Sequence, residues 1–259
     1  MRLPLLLTCL FAFLLVACGG GGKANETVTA TPNAAATSPA ASTPSDDGGV
    51  TPEGETPAAP ASDPFGSLES YRYQMDLTGD GATSVTIKGA VEAPDSISMD
   101  FYLSDSDTPI NSIIIIGTQA WAKNAITGQW ESVDIAEAES QVSGLLPRDF
   151  WGDFPVEKII SLSSDEGEET VNDVTAQHYR ISDATGDTLA ELTELFGGAD
   201  QGGRPEKFSM DLWLAVDGEW PIKSTIGATY PAGSEITQAT ISWEVIDANN
   251  SDISVQPPL

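Results

Sequence analysis

Cysteine is almost absent from this 259-residue chain, which has two, Cys9 and Cys18, both within its first eighteen residues. From residue 19 onward no disulfide or thiol chemistry is available. Whatever folds must therefore be stabilised by its apolar core alone. Residues 64–259 are numerous enough to form one sizeable domain of that kind.

Histidine is equally scarce, with His178 as the single example. It lies in a segment that predicts a strand, where a lone histidine is more often structural than catalytic. Without a second histidine or a further cysteine, a metal site of the usual nitrogen or sulfur type cannot be built. Asp105–Pro109 lacks the glycine and glutamate of a calcium loop, and Gly79–Gly81 lacks the spacing and lysine of a phosphate loop. The sequence thus predicts no enzyme, no cofactor and no metal site.

Positive charge is also sparse, since 11 basic residues face 39 acidic ones and give a formal net charge of −28. A field of this sign repels nucleic acid and anionic membrane surfaces. We therefore expect no nucleic-acid partner and a solvated acidic surface outside the cell. The six tryptophans are interpreted first as core and rim residues, and a sugar-stacking platform is the second interpretation.

The one long apolar run, Leu3–Val16, is too short to span a bilayer, which takes about 20 apolar residues. A positive start, a short apolar middle and small residues after it are typical of a secretory signal peptide. The sequence LVAC, Leu15–Cys18, resembles the lipobox of bacterial lipoproteins. That resemblance implies a signal peptide over 1–17 and a fatty-acylated Cys18 (palmitate, for example) as the mature N-terminus. The alternative is an ordinary signal peptide with an incidental cysteine.

Residues 19–63 are rich in Gly, Ala, Pro, Ser and Thr and have almost no large apolar side chains. Such a segment cannot bury enough apolar surface to offset the entropy lost on ordering. We expect residues 18–63 to be the lipidated cysteine and a disordered tether, with a root-mean-square span of roughly 40 Å. The folded domain is expected over 64–259.

Apolar residues alternate along the start of this domain, with period two over Tyr71–Leu77, Val85–Val91 and Ile97–Leu103. This pattern predicts antiparallel strands with one buried and one wet face. Further strands are predicted at Ser112–Gly117, Gln119–Lys123, Gly128–Val133 and Asp173–Ser182, and in three runs after Phe208.

The middle of the chain predicts helices. Asp134 is a good N-cap for a helix with Ile135, Val142 and Leu145 on one stripe, and Pro147 is expected to end it. Pro155 is expected to begin a second helix with Ile159. The acidic stretch Ser163–Glu169 is expected to be a loop, and a third helix is expected to carry Leu192 and Phe196 up to Gly197.

Strands, a helical insert and more strands together predict an α+β fold, with one large antiparallel sheet and helices across its apolar face. Four stretches resemble LppX/LprG-type mycobacterial lipoproteins and, more distantly, LolA-like lipoprotein carriers. They are SYRYQMDLTGDGATSVTIKGAVEAPDSISMDF (70–101), IGTQAWAKNAITGQWESV (116–133), DLWLAVDGEWPIKSTI (211–226) and WEVIDANNSDISVQPP (243–258).

The resemblance implies a half-barrel, a curved sheet wrapped over a few helices, that binds acyl chains of lipids, lipoglycans or lipoproteins in an apolar cavity and carries them within the cell envelope. It also implies that the protein is not an enzyme. In those carriers a helix before the first strand helps to close the cavity. Here Asp63–Ser70 is the whole of the corresponding segment, so a wider mouth or a smaller cavity is expected.

The apolar faces of the first strands and the helices supply the expected lining of such a cavity. These residues are Tyr73, Met75, Val85, Ile87, Ile97, Met99, Phe101, Ile135, Val142, Leu145, Ile159, Leu192 and Phe196. A packed core would show the same pattern, so the alternative is an envelope sensor or protein-interaction module with a filled core. In either case we expect a monomer anchored at the outer face of the cytoplasmic membrane or in the cell envelope.

Overall fold

A computed structural model describes the domain in six ranges, so residues 1–63, with the expected signal peptide, Cys18 and tether, lie outside the described residues. The ranges are 64–80, 84–104, 106–152, 155–195, 204–234 and 236–259.

Eleven strands are assigned in these ranges, and they form one sheet in which every neighbouring pair is antiparallel. Their bounds are β1 Ser70–Gly79, β2 Val85–Glu92, β3 Ser96–Leu103, β4 Asn111–Ile116, β5 Gln119–Lys123, β6 Trp130–Val133, β7 Ser164–Val171, β8 Val174–Ala184, β9 Lys207–Ala215, β10 Pro221–Thr229 and β11 Gln238–Ala248.

Four helices accompany the sheet in the described part of the chain. They are α1 Ile135–Val142, α2 Pro147–Gly152, α3 Val156–Leu162 and α4 Gly186–Leu195. As expected, α1 begins after Asp134, whose side chain accepts hydrogen bonds from the backbone N–H groups of Ala136 and Glu137.

The strand order is β6-β5-β4-β3-β2-β1-β11-β10-β9-β8-β7. Two meanders, β1–β6 and β7–β11, are therefore joined side by side through the first and last strands. The three helices α1–α3 connect β6 to β7, which are the two opposite edges of the sheet. Because the connection runs from one edge to the other, it lies across a face of the sheet and covers it.

Alternation places the apolar side chains of the strands on this covered face. In β3, Ile97, Met99 and Phe101 are at most 9% exposed, whereas the residues between them are half-buried. The same rule holds for Met210, Leu212 and Leu214 in β9. The fold class predicted from the sequence, a large antiparallel sheet wrapped over a few helices, is confirmed by this arrangement.

Asp80 fastens the junction between the two meanders at one end. Its carboxylate accepts a hydrogen bond from the Thr237 hydroxyl and others from the backbone N–H groups of Thr237 (2.8 Å) and Gln238 (2.7 Å). The Thr237 side-chain bond, followed by the Gln238 backbone bond, lowers the pKa of this exposed carboxyl. The first strand is thus tied to the start of the last one.

Two elements differ from the prediction. The acidic stretch expected to be a loop is strand β7, which pairs with β8 at the edge of the sheet and leaves its carboxylates exposed. Charged side chains suit an edge strand, because they stay in water and discourage pairing with a further chain. Pro147 does not end a helix: α1 ends at Val142, and Pro147 is the first residue of α2, where its missing N–H costs nothing.

Candidate functional site

The predicted lining residues lie together between the sheet and the helices. All seven strand residues, Tyr73, Met75, Val85, Ile87, Ile97, Met99 and Phe101, belong to one buried apolar cluster with exposures of 0–9%. Val142, Ile159 and Leu192 reach the same cluster from the helices. Leu145, which was expected on the first helix, reaches it from the turn between α1 and α2. Ile135 is half-buried and packs against it, and Phe196 lies outside the described residues.

An aromatic group that the sequence-based prediction did not include occupies the centre of this cluster. The ring centroids of Trp151 on α2 and Trp243 on β11 are 5.9 Å apart. Phe150 meets Trp151 edge-on at 5.1 Å. Helix α2 therefore contacts the sheet through large aromatic side chains close to the seam where β1 pairs with β11.

Phe65 extends the aromatic group from the other side. The segment before β1 forms a turn, in which the backbone N–H of Leu68 donates to the Phe65 carbonyl at 2.9 Å. The Phe65 ring lies 5.4 Å from that of Tyr71 and 5.6 Å from that of Trp243. In the described part of the segment before β1, where the sequence resemblance implies a closing helix, the chain forms this turn and buries the Phe65 ring.

Tyr73 lies flat across Gly89, its partner in the β1–β2 register. A Cβ atom at Gly89 would stand 2.3 Å from Tyr73 Cε1 and 2.6 Å from the hydroxyl oxygen, closer than any real contact. The missing side chain of Gly89 therefore makes the room that the phenol ring occupies. Such a ring above a strand glycine restores the packing that glycine lacks.

The Tyr73 hydroxyl is buried without a hydrogen-bond partner among the described residues, and so is the indole N–H of Trp243. Burial is the main cause that raises the pKa of Tyr73 well above its usual value. The neighbouring Tyr71 and Asp149 add to the rise, and Arg148 opposes it. The hydroxyl is therefore a neutral donor, held at the centre of an apolar region.

No charged side chain is buried on the covered face in the part of the chain that the structure describes. The buried polar residues of the described ranges, on either face of the sheet, are Ser70, Ser112, His178 and Ser224. Ser224 lies opposite Trp243 in the β10–β11 register, and its strand neighbours Ile222 and Ile226 are buried with it. The covered face can accommodate apolar matter and neutral polar groups, but it offers no counter-charge to an ion.

His178 lies on the opposite, outer face of the sheet. Its ring stacks on Trp213 with centroids 4.3 Å apart. Its Nε2 is 2.8 Å from Asp211 Oδ1, and its Nδ1 is 3.2 Å from Glu169 Oε1. Both ring nitrogens face carboxylates, so neither faces a serine or other nucleophile, and the arrangement is that of a structural histidine on the sheet surface.

A shallow groove of about 180 Å³ lies at the ends of β9, β10 and β11. Its lining includes Lys207, Ser209 and Thr229, which are polar and belong to the outer face. The groove is smaller than a typical small-molecule site of about 300–1,000 Å³ and has few apolar walls. This groove on the outer face is therefore separate from the apolar cluster on the covered face.

Within the described ranges no group of three His, Cys, Asp or Glu side chains is arranged to hold a metal ion. Nor does any described helix combine the length and apolar character that crossing a bilayer requires.

No protein-family model matches the chain, and no curated protein matches it either. Among solved structures the chain is similar to the lipoprotein LppX of Mycobacterium tuberculosis, with 15% identity, 76% of this chain and 94% of that chain covered, and a TM-score of 0.41. It is also similar to LprF of Mycobacterium bovis, with 10% identity, 77% and 93% covered and a TM-score of 0.45.

A LolA superfamily protein of Nitrosomonas europaea is more distant, with 9% identity, 71% and 86% covered and a TM-score of 0.27. These similarities concern the fold and say nothing about a ligand.

The residues that the sequence-based prediction missed had recognisable signals. Trp243 lies on the same side of β11 as Ile241 and Val245, the side that faces the apolar cluster. Trp151 lies four positions after Pro147, in the short helix α2. The sequence-based prediction missed this helix because it took Pro147 as the end of the preceding helix. The pairing of Tyr73 with Gly89 could be read from the register of the β1–β2 hairpin.

Proposed function

We propose that this chain is an extracytoplasmic lipoprotein, anchored by Cys18, whose half-barrel takes up an acyl chain of a lipid, lipoglycan or lipoprotein and carries it within the cell envelope. The observation that carries this proposal is the uncharged apolar cluster that the described residues form between an eleven-stranded sheet and its helical cover. Apolar side chains alone are enough for the ligand, since each buried methylene contributes about 0.8 kcal/mol.

The helical cover supports a route of entry. Helix α2 has six residues and α3 has seven, and the N-cap of α3, Pro155, supplies no side-chain hydrogen bond to it. Helices this short have little stability of their own and depend on packing against the sheet. Separation of α2 and α3 from the sheet would expose the aromatic centre without unfolding the strands.

Val85→Trp tests the proposal. In a hollow, the added indole fills space that a ligand would use, so folding is retained and binding of a fluorescent diacyl phospholipid falls. Ala90→Trp is the matched control, because Ala90 is a half-buried residue of the same strand on the outer face of the sheet. Unchanged lipid binding in Val85→Trp, measured by fluorescence titration, would count against the proposal.

A second candidate function is that of a protein-interaction module with a filled core. It is favoured by the low exposure of the buried lining residues, none of which is more than 9% exposed. In a filled core, Val85→Trp overpacks the interior and lowers the free energy of unfolding by about 1–3 kcal/mol. Thermal melting of the same two variants therefore separates the two functions.

A further inference from the structure

Two hydrogen-bond donors lie at the centre of the buried cluster without a partner among the described residues. They are the hydroxyl of Tyr73 and the indole N–H of Trp243, both in side chains that are 1% exposed. Buried polar groups in native proteins are nearly always hydrogen-bonded, to protein, to water or to a ligand. Two donors in one apolar cluster that lack a partner among the described residues are therefore available to a ligand.

The two donors lie on the same, covered face of the sheet. In the β1–β11 register, Tyr73 lies opposite Val245 and Met75 opposite Trp243, so both side chains belong to the covered face of neighbouring strands. Helix α2 packs on this face, where Trp151 contacts Trp243. Trp243 thus lies beneath a six-residue helix, and Tyr73 lies on the adjacent strand with its ring over Gly89.

The chemistry of the donors defines what they can bind. An indole N–H donates and cannot accept, and a phenol that remains protonated donates as well. Burial keeps the pKa of Tyr73 high, so this hydroxyl carries its proton throughout the physiological range. The partner must therefore supply acceptor oxygens.

A negatively charged acceptor does not fit this region. Within the described ranges no lysine or arginine is buried, and Arg148, whose charge reaches Tyr73, has a side chain that is 37% exposed and lies 3.7 Å from Asp149. A carboxylate drawn inside would lose its hydration without gaining a cation. A neutral carbonyl oxygen would not face that cost.

We propose that Tyr73 and Trp243 donate hydrogen bonds to ester carbonyl oxygens of an acyl lipid held beneath α2. The site selects ester-linked acyl lipids over free fatty acids and over ether lipids, which have no carbonyl group. This inference rests on the proposed function and adds to it the class of lipid and the residues that recognise it.

The test compares two probes with equal chain lengths and the same phosphocholine headgroup, a diacyl phospholipid and its dialkyl ether analogue. The protein is the full chain with Cys18→Ser, so that no attached acyl group competes. We expect the parent to bind the ester probe about three- to tenfold more tightly than the ether probe, the range for one net hydrogen bond. Tyr73→Phe should reduce this preference, because only the Trp243 donor remains, and Tyr102→Phe, a half-buried tyrosine on the outer face, should retain it in full.

A second measurement needs no lipid. In the ligand-free protein, Tyr73→Phe removes a buried hydroxyl that has no partner, so the melting temperature should rise or stay the same. A clear fall would mean that the hydroxyl is already paired, for example with a buried water, and would overturn the inference.

The binding outcomes separate this inference from the proposed function. Equal affinity for ester and ether probes, unchanged by Tyr73→Phe, would overturn the ester site and leave lipid binding intact. Binding of neither probe by the parent would overturn the proposed function and the ester site together. An ester preference that Tyr73→Phe does not reduce would assign the carbonyl contact to other residues and overturn the role of Tyr73.

Discussion

Tyr73 and Gly89 face each other across the β1–β2 hairpin so closely that a Cβ on Gly89 would lie 2.3 Å from Tyr73 Cε1. The phenol ring fills the space that every other residue at position 89 would need. One cross-strand pair therefore sets the position of the ring that carries the buried hydroxyl.

Gly89→Ala is expected to push the Tyr73 ring out of place and to lower the free energy of unfolding by about 1–3 kcal/mol, the usual cost of overpacking. Gly152→Ala is the control, because a Cβ at that position meets nothing within 4 Å. Urea denaturation measures both. Adding Tyr73→Leu should recover part of the loss in the double variant, since neighbouring substitutions are not additive; simple additivity would show that the two residues are not in contact.

Stability should fall at alkaline pH because of the same tyrosine. The pKa of Tyr73 is raised in the folded protein, so above about pH 10 the unfolded chain loses this proton while the folded chain keeps it. The folded state then binds more protons, and the free energy of unfolding decreases by up to about 1.4 kcal/mol per pH unit.

The contribution of Tyr73 is isolated by comparison with Tyr73→Phe, in denaturant melts between pH 9 and 11. Tyr230, whose pKa is also raised by burial, remains in both proteins and cancels. The decline should be steeper in the parent than in the variant. Parallel curves would show that the Tyr73 hydroxyl is not buried in solution.

The strands of this fold were predictable where they alternate over an apolar face, as in β1, β2 and β3. Strand β7 was not, since it is an edge strand with mostly exposed carboxylates and no buried side of its own. The pairing with β8 holds β7 in the sheet, and the sequence pattern of β7 alone does not indicate that pairing. Helix α2 was missed for a different reason, because proline is equally compatible with the end of one helix and the first position of the next.

The lining of the covered face was predictable strand by strand, but its centre was not. Alternation shows which side of β11 Trp243 occupies, yet not that Trp151 from a distant helix lies 5.9 Å away. That contact follows from the path of α1–α3 between opposite edges of the sheet, and the path follows from the pairing of β1 with β11. Periodicity within one segment carries no information about such a pairing.

The anchor remains a prediction, because Cys18 lies outside the described residues. Cys18→Ala should move the protein from the membrane fraction to the soluble fraction, since the thiol that would carry the acyl groups is gone. Immunoblotting of fractionated cells measures the distribution. Cys9→Ala, within the expected signal peptide, is the matched control and should not change it. Continued membrane association of Cys18→Ala would contradict the lipobox interpretation.

The most direct test of acyl-chain uptake uses the tryptophans on the two faces of the sheet. A diacyl phospholipid brominated in mid-chain quenches indoles that it approaches. If the chain lies between the sheet and α2, Trp243→Phe should remove much of the quenching seen in the parent. Trp213→Phe should leave it nearly unchanged, because Trp213 stacks on His178 on the outer face. Quenching lost through Trp213→Phe and retained in Trp243→Phe, or no quenching in the parent, would contradict an acyl chain inside the half-barrel.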